Sequence, residues 1–154
     1  MSMRIDYIKS APAGYKALGG VYGYIKQCGL SEILLELVYL RTSQINGCAY
    51  CLGLHHADLL KKGVKPEKLA LVQAWHEAGA VFDEREQAAL GWAETVTKVA
   101  ETAIPDEEFK KVSAVFSEKE VVDLTIAIGL MNTFNRIAIG FRRPPEAAVA
   151  AAVA

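Results

Sequence analysis

Two cysteines separated by two residues, Cys48 and Cys51, are the residues of this sequence best suited to chemistry. They follow the dipeptide Asn46-Gly47, a turn signal, so we expect them in the first turn of a helix. There the unpaired backbone N–H groups and the helix dipole favour a thiolate, the reactive form of cysteine. Cys48 lies three residues before Cys51 on the same helical face. It can therefore attack a sulfenic acid formed on Cys51 and close a disulfide.

A histidine and a glutamate stand where they can assist Cys51. His55 follows Cys51 by four residues on the same helical face, so its imidazole can accept the thiol proton or stabilise the thiolate. Glu36 interrupts the apolar run 34–40 of the preceding helix, and a carboxylate buried there needs a partner or a proton. Glu36 lies ~15 Å before the turn and His55 ~10 Å after it, at ~1.5 Å rise per residue. Two helices folded back on each other would bring Glu36 closer to His55 than to Cys51, which predicts a proton relay in the order Glu36, His55, Cys51.

The cysteine pair also fits two roles that involve no redox chemistry. A zinc site needs four ligands, of which Cys48, Cys51 and His55 could supply three and His56 or His76 the fourth. The sequence has no second CxxC, however, and His56 turns away from the face of His55. The pair could also be inert packing. We favour thiol redox chemistry and expect neither a metal nor a dissolved cofactor.

Helix signals run along the whole chain and predict the frame that must position these residues. We expect helices from Pro12 to about Gln27, from Ser31 to the Asn46-Gly47 turn, from Cys48 to Gly63, from Pro66, from Asp83 to about Thr102, from Pro105, and from Ser117 to about Ile139. Asp83 with Glu86, and Ser117 with Glu120, have the spacing of capping boxes. No stretch shows sustained alternation, so no sheet is expected. The prediction is an all-α, single-domain helical bundle over residues 1–146, followed by an Ala-rich tail, 147–154, that is frayed helix or disordered and carries no chemistry.

Composition excludes several classes of protein. The 154 residues fit one domain that can bury a core without disulfides, and the net charge of −1 suggests neither nucleic acid nor an anionic membrane as a partner. The beginning, MSMRIDYIKS, lacks the apolar segment of a signal peptide, and three cysteines do not make a disulfide framework. The long apolar stretch 121–140 carries Asp123, Asn132, Asn135 and Arg136, which are costly in lipid, so we expect a buried helix or a subunit contact. The expected protein is a cytoplasmic homo-oligomer.

Residues that flank the candidate site have plainer interpretations. Glu36 could pair with Arg41 instead of His55. Arg41 and Ser43 are interpreted as structural residues that hold the turn. The polar residues of the long apolar helix are expected to satisfy one another or a partner chain.

The pattern Glu-x4-Arg-x-Ser-x4-Cys-x2-Cys-x3-His, from Glu36 to His55, resembles the core motif of the alkylhydroperoxidase D and carboxymuconolactone decarboxylase superfamily. The resemblance implies an all-α fold of the alkylhydroperoxidase D type, homo-oligomeric assembly and peroxidase chemistry through the two cysteines. It places the relay carboxylate at Glu36, the resolving cysteine at Cys48, the peroxide-attacking cysteine at Cys51 and the relay histidine at His55. Alkylhydroperoxidase D has a histidine just before the second cysteine, where this sequence has Tyr50.

We therefore predict a thiol-dependent peroxidase that reduces hydroperoxides and is itself reduced by an external dithiol. One alternative is a non-enzymatic thiol redox sensor whose disulfide changes its assembly. Another is a cysteine-independent decarboxylase or isomerase acting on a small lactone, with Glu36 and His55 as acid and base. The decarboxylase branch of the superfamily generally lacks the cysteine pair, which argues against the last alternative.

Overall fold

The computed structural model describes residues 2–151, and helices are the only regular secondary structure in that range. The α-helices are α1 (Tyr7–Ser10), α2 (Pro12–Ile25), α3 (Glu32–Asn46), α4 (Ala49–Lys61), α5 (Pro66–Leu71), α6 (Glu84–Thr97), α7 (Val99–Thr102), α8 (Asp106–Ser113), α9 (Glu118–Gly140) and α10 (Glu146–Ala151). Two 3-10 helices, Val72–Glu77 and Gly79–Val81, lie between α5 and α6. The predicted all-α fold is confirmed. Of the predicted tail, residues 147–151 belong to α10, and 152–154 lie outside the described residues.

Both predicted capping boxes are present. The Asp83 side chain accepts the backbone N–H of Glu86 at the start of α6, and the Glu86 carboxylate accepts the N–H of Asp83. Ser117 and Glu120 make the same reciprocal pair of hydrogen bonds at the start of α9. Each box satisfies donors that a helix start leaves unpaired, so these two boundaries are fixed by local chemistry.

One helix boundary differs from the prediction, and one short helix was not predicted. The helix that follows Asp83 ends at Thr97 rather than near Thr102, because Lys98 leaves helical geometry (φ −95°, ψ 30°) before the short helix α7 begins. A helix that the sequence did not predict, α1, precedes Pro12 and is capped by the side chain of Asp6. Four-residue helices carry too little hydrophobic periodicity to be recognised in advance.

Helix α3 lies at the centre of the bundle, where it packs against α4, α6 and α9. It is buried continuously from residue 34 to 40, as its apolar sequence predicts. Large side chains that are almost fully buried include Leu37 and Tyr39 of α3 itself and, on other elements, Leu59, Phe82, Leu90, Leu124 and Ile128. Each such side chain stabilises the fold by ~1.5–3 kcal/mol relative to exposure, so this packing holds the positions of the residues that α3 and α4 carry.

Helix α9 is the long apolar helix that the sequence predicts to be buried. Leu124, Ala127 and Ile128 are fully buried on its inner face, whereas Val122 and Ile126 are exposed on the outer face. The polar residues Asp123, Asn132 and Asn135 are buried as well. Between residues 2 and 151, no helix combines the length and apolar character that crossing a bilayer requires.

Candidate active site

A left-handed glycine joins α3 to α4 and reverses the chain. Gly47 has φ 68° and ψ 33°, a conformation that glycine adopts without the steric cost of a Cβ. Its N–H donates to the Gln44 carbonyl at 3.3 Å, and the N–H of Cys48 donates to the Ser43 carbonyl at 3.0 Å. These bonds close the end of α3 and let α4 pack back against it. The helical hairpin expected from the Asn46-Gly47 signal is therefore present.

The cysteine pair is buried at the beginning of α4. Cys48 is the N-cap residue, and its Sγ accepts the backbone N–H of Cys51 at 3.4 Å. Both are free thiols, and they are only 1% and 3% exposed. With Ala138 of α9 they form a small buried cluster beside the main core, and Tyr50 packs against it. The placement at a helix start, which the sequence predicted, supplies donors for a thiolate.

The two thiols share a hydrogen bond, and this bond separates their pKa values. The Cys51 thiol donates to Cys48 and lowers the pKa of Cys48 to about 7, although burial acts in the opposite direction. The backbone N–H of Cys51 and the Asn135 side chain also lower this pKa. The same hydrogen bond, together with burial, raises the pKa of Cys51. The reduced pair thus gains a single negative charge near neutral pH, centred on Cys48. From the sequence the thiolate is expected on Cys51, and which sulfur attacks a substrate stays a prediction.

Glu36 and His55 meet across the interface of α3 and α4. Glu36 Oε2 lies 2.7 Å from His55 Nδ1, and both residues are buried. Because Nδ1 is occupied by the carboxylate, Nε2 is the ring nitrogen left for other partners. The ring of Tyr39 packs against the imidazole, with centroids 5.3 Å apart. The contact predicted from helix geometry is present. Arg41, the alternative partner, bonds to Glu94 instead.

Cys51 and His55 line the same cavity, which has a volume of about 350 Å³. Five of its thirteen lining residues are aromatic, namely Tyr7, Tyr15, Tyr22, Tyr50 and Phe134. Asp58 contributes the only carboxylate among the described lining residues. A cavity of this size and character suits a small, largely apolar molecule.

Cys48 lines a second cavity, of about 240 Å³, that does not include Cys51. Tyr50 lines both cavities. The guanidinium of Arg143 lies 4.1 Å from the centre of the Tyr50 ring and donates to the Tyr7 hydroxyl at 2.8 Å. Tyr50, the residue that departs from the motif, is therefore held in place by a cation–π contact.

The zinc ligand set considered from the sequence is not brought together. His56 is exposed, and His76 is exposed on the first 3-10 helix, where it stacks on Trp75 and lies 3.4 Å from Glu94. Within the part of the chain that the structure describes, no three His, Cys, Asp or Glu residues are placed to hold a metal ion.

The sequence did not indicate that Asn135 belongs to the site. The polar residues of α9 were expected to satisfy one another or a partner chain, and Arg136 does donate to Asn132. Asn135 bonds instead to Asn46 and Ser43 of α3, and its side chain contributes to lowering the pKa of both Cys48 and Cys51. The signal was present as a buried-type asparagine in an apolar helix, but its partner lies about 90 positions earlier and only the fold brings the two together.

Comparison with known proteins gives consistent matches over most of the chain. The sequence pattern of the carboxymuconolactone decarboxylase family matches residues 12–95. The uncharacterized protein YdfG of Bacillus subtilis (strain 168) is 34% identical over 139 residues, which are 90% of this chain and 94% of YdfG.

Solved structures show the same fold. A protein of unknown function from Agrobacterium tumefaciens, provisionally named as the antioxidant defence protein AhpD, superposes with a TM-score of 0.90 at 41% identity, over 94% of this chain and 98% of that one. The alkylhydroperoxidase AhpD core of an uncharacterized peroxidase-related protein from Ralstonia eutropha JMP134 superposes with a TM-score of 0.78 at 22% identity, over 90% and 73%. At that identity the second likeness concerns the fold alone.

Proposed function

The chain belongs to the carboxymuconolactone decarboxylase family, and on that premise we propose that it is a thiol-dependent peroxidase acting through Cys51 and Cys48. The observation that carries the proposal is that Cys51 and His55 line one cavity while Glu36 holds the far side of the imidazole. The name of the Agrobacterium protein, which refers to antioxidant defence, points the same way. The aromatic wall favours an organic hydroperoxide over hydrogen peroxide.

In the first step of the proposed reaction, Cys51 reduces the peroxide. His55 Nε2 takes the thiol proton, and Glu36 stabilises the resulting imidazolium. The Cys51 thiolate attacks the terminal peroxide oxygen, the O–O bond breaks, and the departing alkoxide takes the proton from His55 to leave as an alcohol. Cys51 is oxidised to a sulfenic acid and the peroxide is reduced by two electrons.

In the second step, Cys48 resolves the sulfenic acid. Its pKa of about 7 makes it a thiolate in a large fraction of molecules near neutral pH, without need of a further base. The Cys48 thiolate attacks Cys51 Sγ, and hydroxide leaves and is protonated to water, which gives the disulfide. An external dithiol then reduces the disulfide by two electrons, with Cys48 as the better leaving group because its pKa is the lower of the two.

A turnover assay tests this function. Consumption of an organic hydroperoxide in the presence of excess dithiothreitol is measured for the wild type, Cys51→Ser and Cys48→Ser. We expect many turnovers per chain for the wild type and loss of sustained turnover in both variants. A redox sensor would consume about one equivalent of peroxide per cysteine pair and stop, and a lactone-type acid–base enzyme would keep its own activity without either cysteine. Sustained peroxide consumption by Cys51→Ser would contradict the proposal.

The roles of the two cysteines are tested separately. In Cys48→Ser, a sulfenic acid on Cys51 cannot be resolved and should be captured by a dimedone-type reagent and located by mass spectrometry. Each variant keeps one cysteine, so the rates at which peroxide oxidises the two remaining thiols can be compared. If the Cys48 thiol of Cys51→Ser is oxidised faster than the Cys51 thiol of Cys48→Ser, the two roles are reversed.

A further inference from the structure

One face of α9 covers the thiol pair. Asn135 is fully buried on this helix, and Ala138, one turn further on, packs against both Cys48 and Cys51. Met131, one turn earlier, lies with its Sδ 3.5 Å from Asn135 Nδ2. Asn135 is thus a buried amide between two apolar residues, Met131 and Ala138, on this face of α9.

The orientation of the Asn135 amide is fixed by two residues of α3. Its Oδ1 accepts the Nδ2 group of Asn46 at 2.9 Å, and its Nδ2 donates to Ser43 Oγ at 3.0 Å. An inverted amide would set donor against donor at Asn46. The Nδ2 group therefore gives one hydrogen to Ser43 Oγ and the other to Met131 Sδ, a weak acceptor that a stronger one can replace.

We propose that Asn135 is a positioning residue of the thiol pair, whose clamped amide donates to the thiolate and thereby favours the reduced dithiol over the disulfide. The inference rests on the proposed function in taking the pair to be redox-active. Asn135 lowers the pKa of both Cys48 and Cys51. A hydrogen bond to a charged acceptor is stronger than one to a thioether, so the amide gains a better partner when the pair ionises.

Other groups around the pair titrate or carry charge, and Asn135 does not. His55 with Glu36 lies on the α3 and α4 side, Tyr50 lies between the two cavities, and Arg142 and Arg143 line the cavity of Cys48. An amide neither gives up nor takes a proton, so its stabilisation of the thiolate is the same at every pH. It can hold the resting charge on the pair without competing for the proton that His55 moves.

The test compares Asn135→Leu with Asn132→Leu in the reduced protein. Asn132 is a matched control because it lies on the same helix, shares the partner Asn46, and otherwise bonds to Thr97 and Arg136 rather than to the thiols. The rate of alkylation by iodoacetamide is followed against pH, together with thiolate absorbance near 240 nm. For Asn135→Leu we expect a roughly tenfold lower rate near pH 7, recovered at high pH, and a roughly tenfold larger constant for oxidation of the pair by glutathione disulfide.

The control should keep the wild-type pH profile even if it loses stability. Should Asn135→Leu fail to fold, Asn135→Asp keeps the volume and replaces the donor by a carboxylate, and it should shift the profile to higher pH still more. Ser43→Ala removes one of the two hydrogen bonds that orient the Asn135 amide, and it should shift the pH profile in the same direction by a smaller amount. The inference would be overturned if the Asn135 variants had the same dependence of alkylation rate on pH as Asn132→Leu. No peroxide enters these measurements, so absence of peroxidase activity and failure of this inference are separate results.

Discussion

Two acidic residues, Glu36 of α3 and Glu94 of α6, have different surroundings. Glu94 of α6 accepts the Nε–H of Arg41 and the indole N–H of Trp75, each at 2.8 Å, and the exposed His76 lies 3.4 Å from its other oxygen. Glu36 of α3 itself meets His55 at 2.7 Å. Burial acts to raise the pKa of Glu94, but the hydrogen bonds from Trp75 and Arg41 hold that pKa below its ordinary value.

The difference between the two carboxylates lies in what their partners can exchange. Arginine does not lose its proton in proteins, so the pair of Glu94 and Arg41 is a permanent charge pair that fixes helices. Histidine can serve as a general base or acid, so the pair of Glu36 and His55 is suited to proton transfer. A buried carboxylate therefore indicates a site when its histidine partner lines a cavity, as His55 does, whereas His76 beside Glu94 is exposed.

The largest effect in this comparison is expected for stability at Glu94. Glu94→Gln leaves the partly buried Arg41 without its counter-charge and should lower the free energy of unfolding by about 2 kcal/mol. The rate of alkylation of the thiols should stay within about twofold of the wild type. Urea denaturation and iodoacetamide labelling measure the two quantities. A large loss of labelling rate with unchanged stability would reverse the assignment of the two carboxylates.

Glu36→Gln should show the opposite behaviour. It keeps the shape and removes the charge that supports the imidazolium, so the alkylation rate of Cys51 near neutral pH should fall about tenfold. Raising the pH should recover most of the loss, because hydroxide then removes the thiol proton. Unfolding free energy should change by less than about 1 kcal/mol, since a buried charge is removed along with its partner interaction. Equal rates for both proteins across the pH range would make Glu36 a structural residue.

A double-mutant cycle sharpens the contrast further. If Glu36 acts through His55, the double variant Glu36→Gln, His55→Gln should lose no more alkylation rate than His55→Gln alone, which is roughly tenfold less loss than independent effects would give. Combining Glu36→Gln with Glu94→Gln, by contrast, should give the rate of Glu36→Gln and the stability of Glu94→Gln. Multiplicative rates in the first cycle would show that the two residues do not share one proton path.

The smallest effect concerns the pH dependence of stability. The pKa of Cys48 in the folded protein, about 7, lies below the ordinary value of a thiol, so its contribution to stability is present at alkaline pH and is lost as the pH falls through 7. The reduced protein should gain about 1 kcal/mol of unfolding free energy between about pH 7 and pH 8. Cys48→Ser should lose this slope, and Glu94→Gln should keep it. The same slope in Cys48→Ser would assign the titration to another group.

The fold was largely predictable because its boundaries are set by local chemistry. The capping boxes at Asp83 and Ser117, the proline at the start of α2 and the glycine at residue 47 all act within a few residues of themselves. The break at Lys98 was not predictable in the same way. The segment continues with helix-forming residues, and the interruption is seen only in the backbone geometry of the folded chain.

The candidate site likewise has a part that was predictable from local spacing and a part that was not. Cys48, Cys51, His55 and Glu36 lie on two consecutive helices, so helical spacing and one turn were sufficient to predict their meeting. Asn135, far along the chain on α9, required the packing of that helix against the turn. The distribution of charge between the two sulfurs was also beyond the sequence, because it depends on which thiol occupies the N-cap and which donates the shared hydrogen bond.

The turn at Gly47 between α3 and α4 has a consequence for the order in which the chain folds. The hairpin of residues 32–61 is made of near neighbours, and elements of low contact order close early, whereas α9 joins them from a great distance in sequence. We therefore expect that, in a refolding chain, the first turn of α4 forms with both sulfur atoms exposed. Ala138 and Asn135 of α9 would bury the sulfur atoms later. During that interval newly made chains would be most open to oxidants and to thiol-blocking drugs, and pulsed labelling during refolding would show a burst of reactivity that closes as α9 docks.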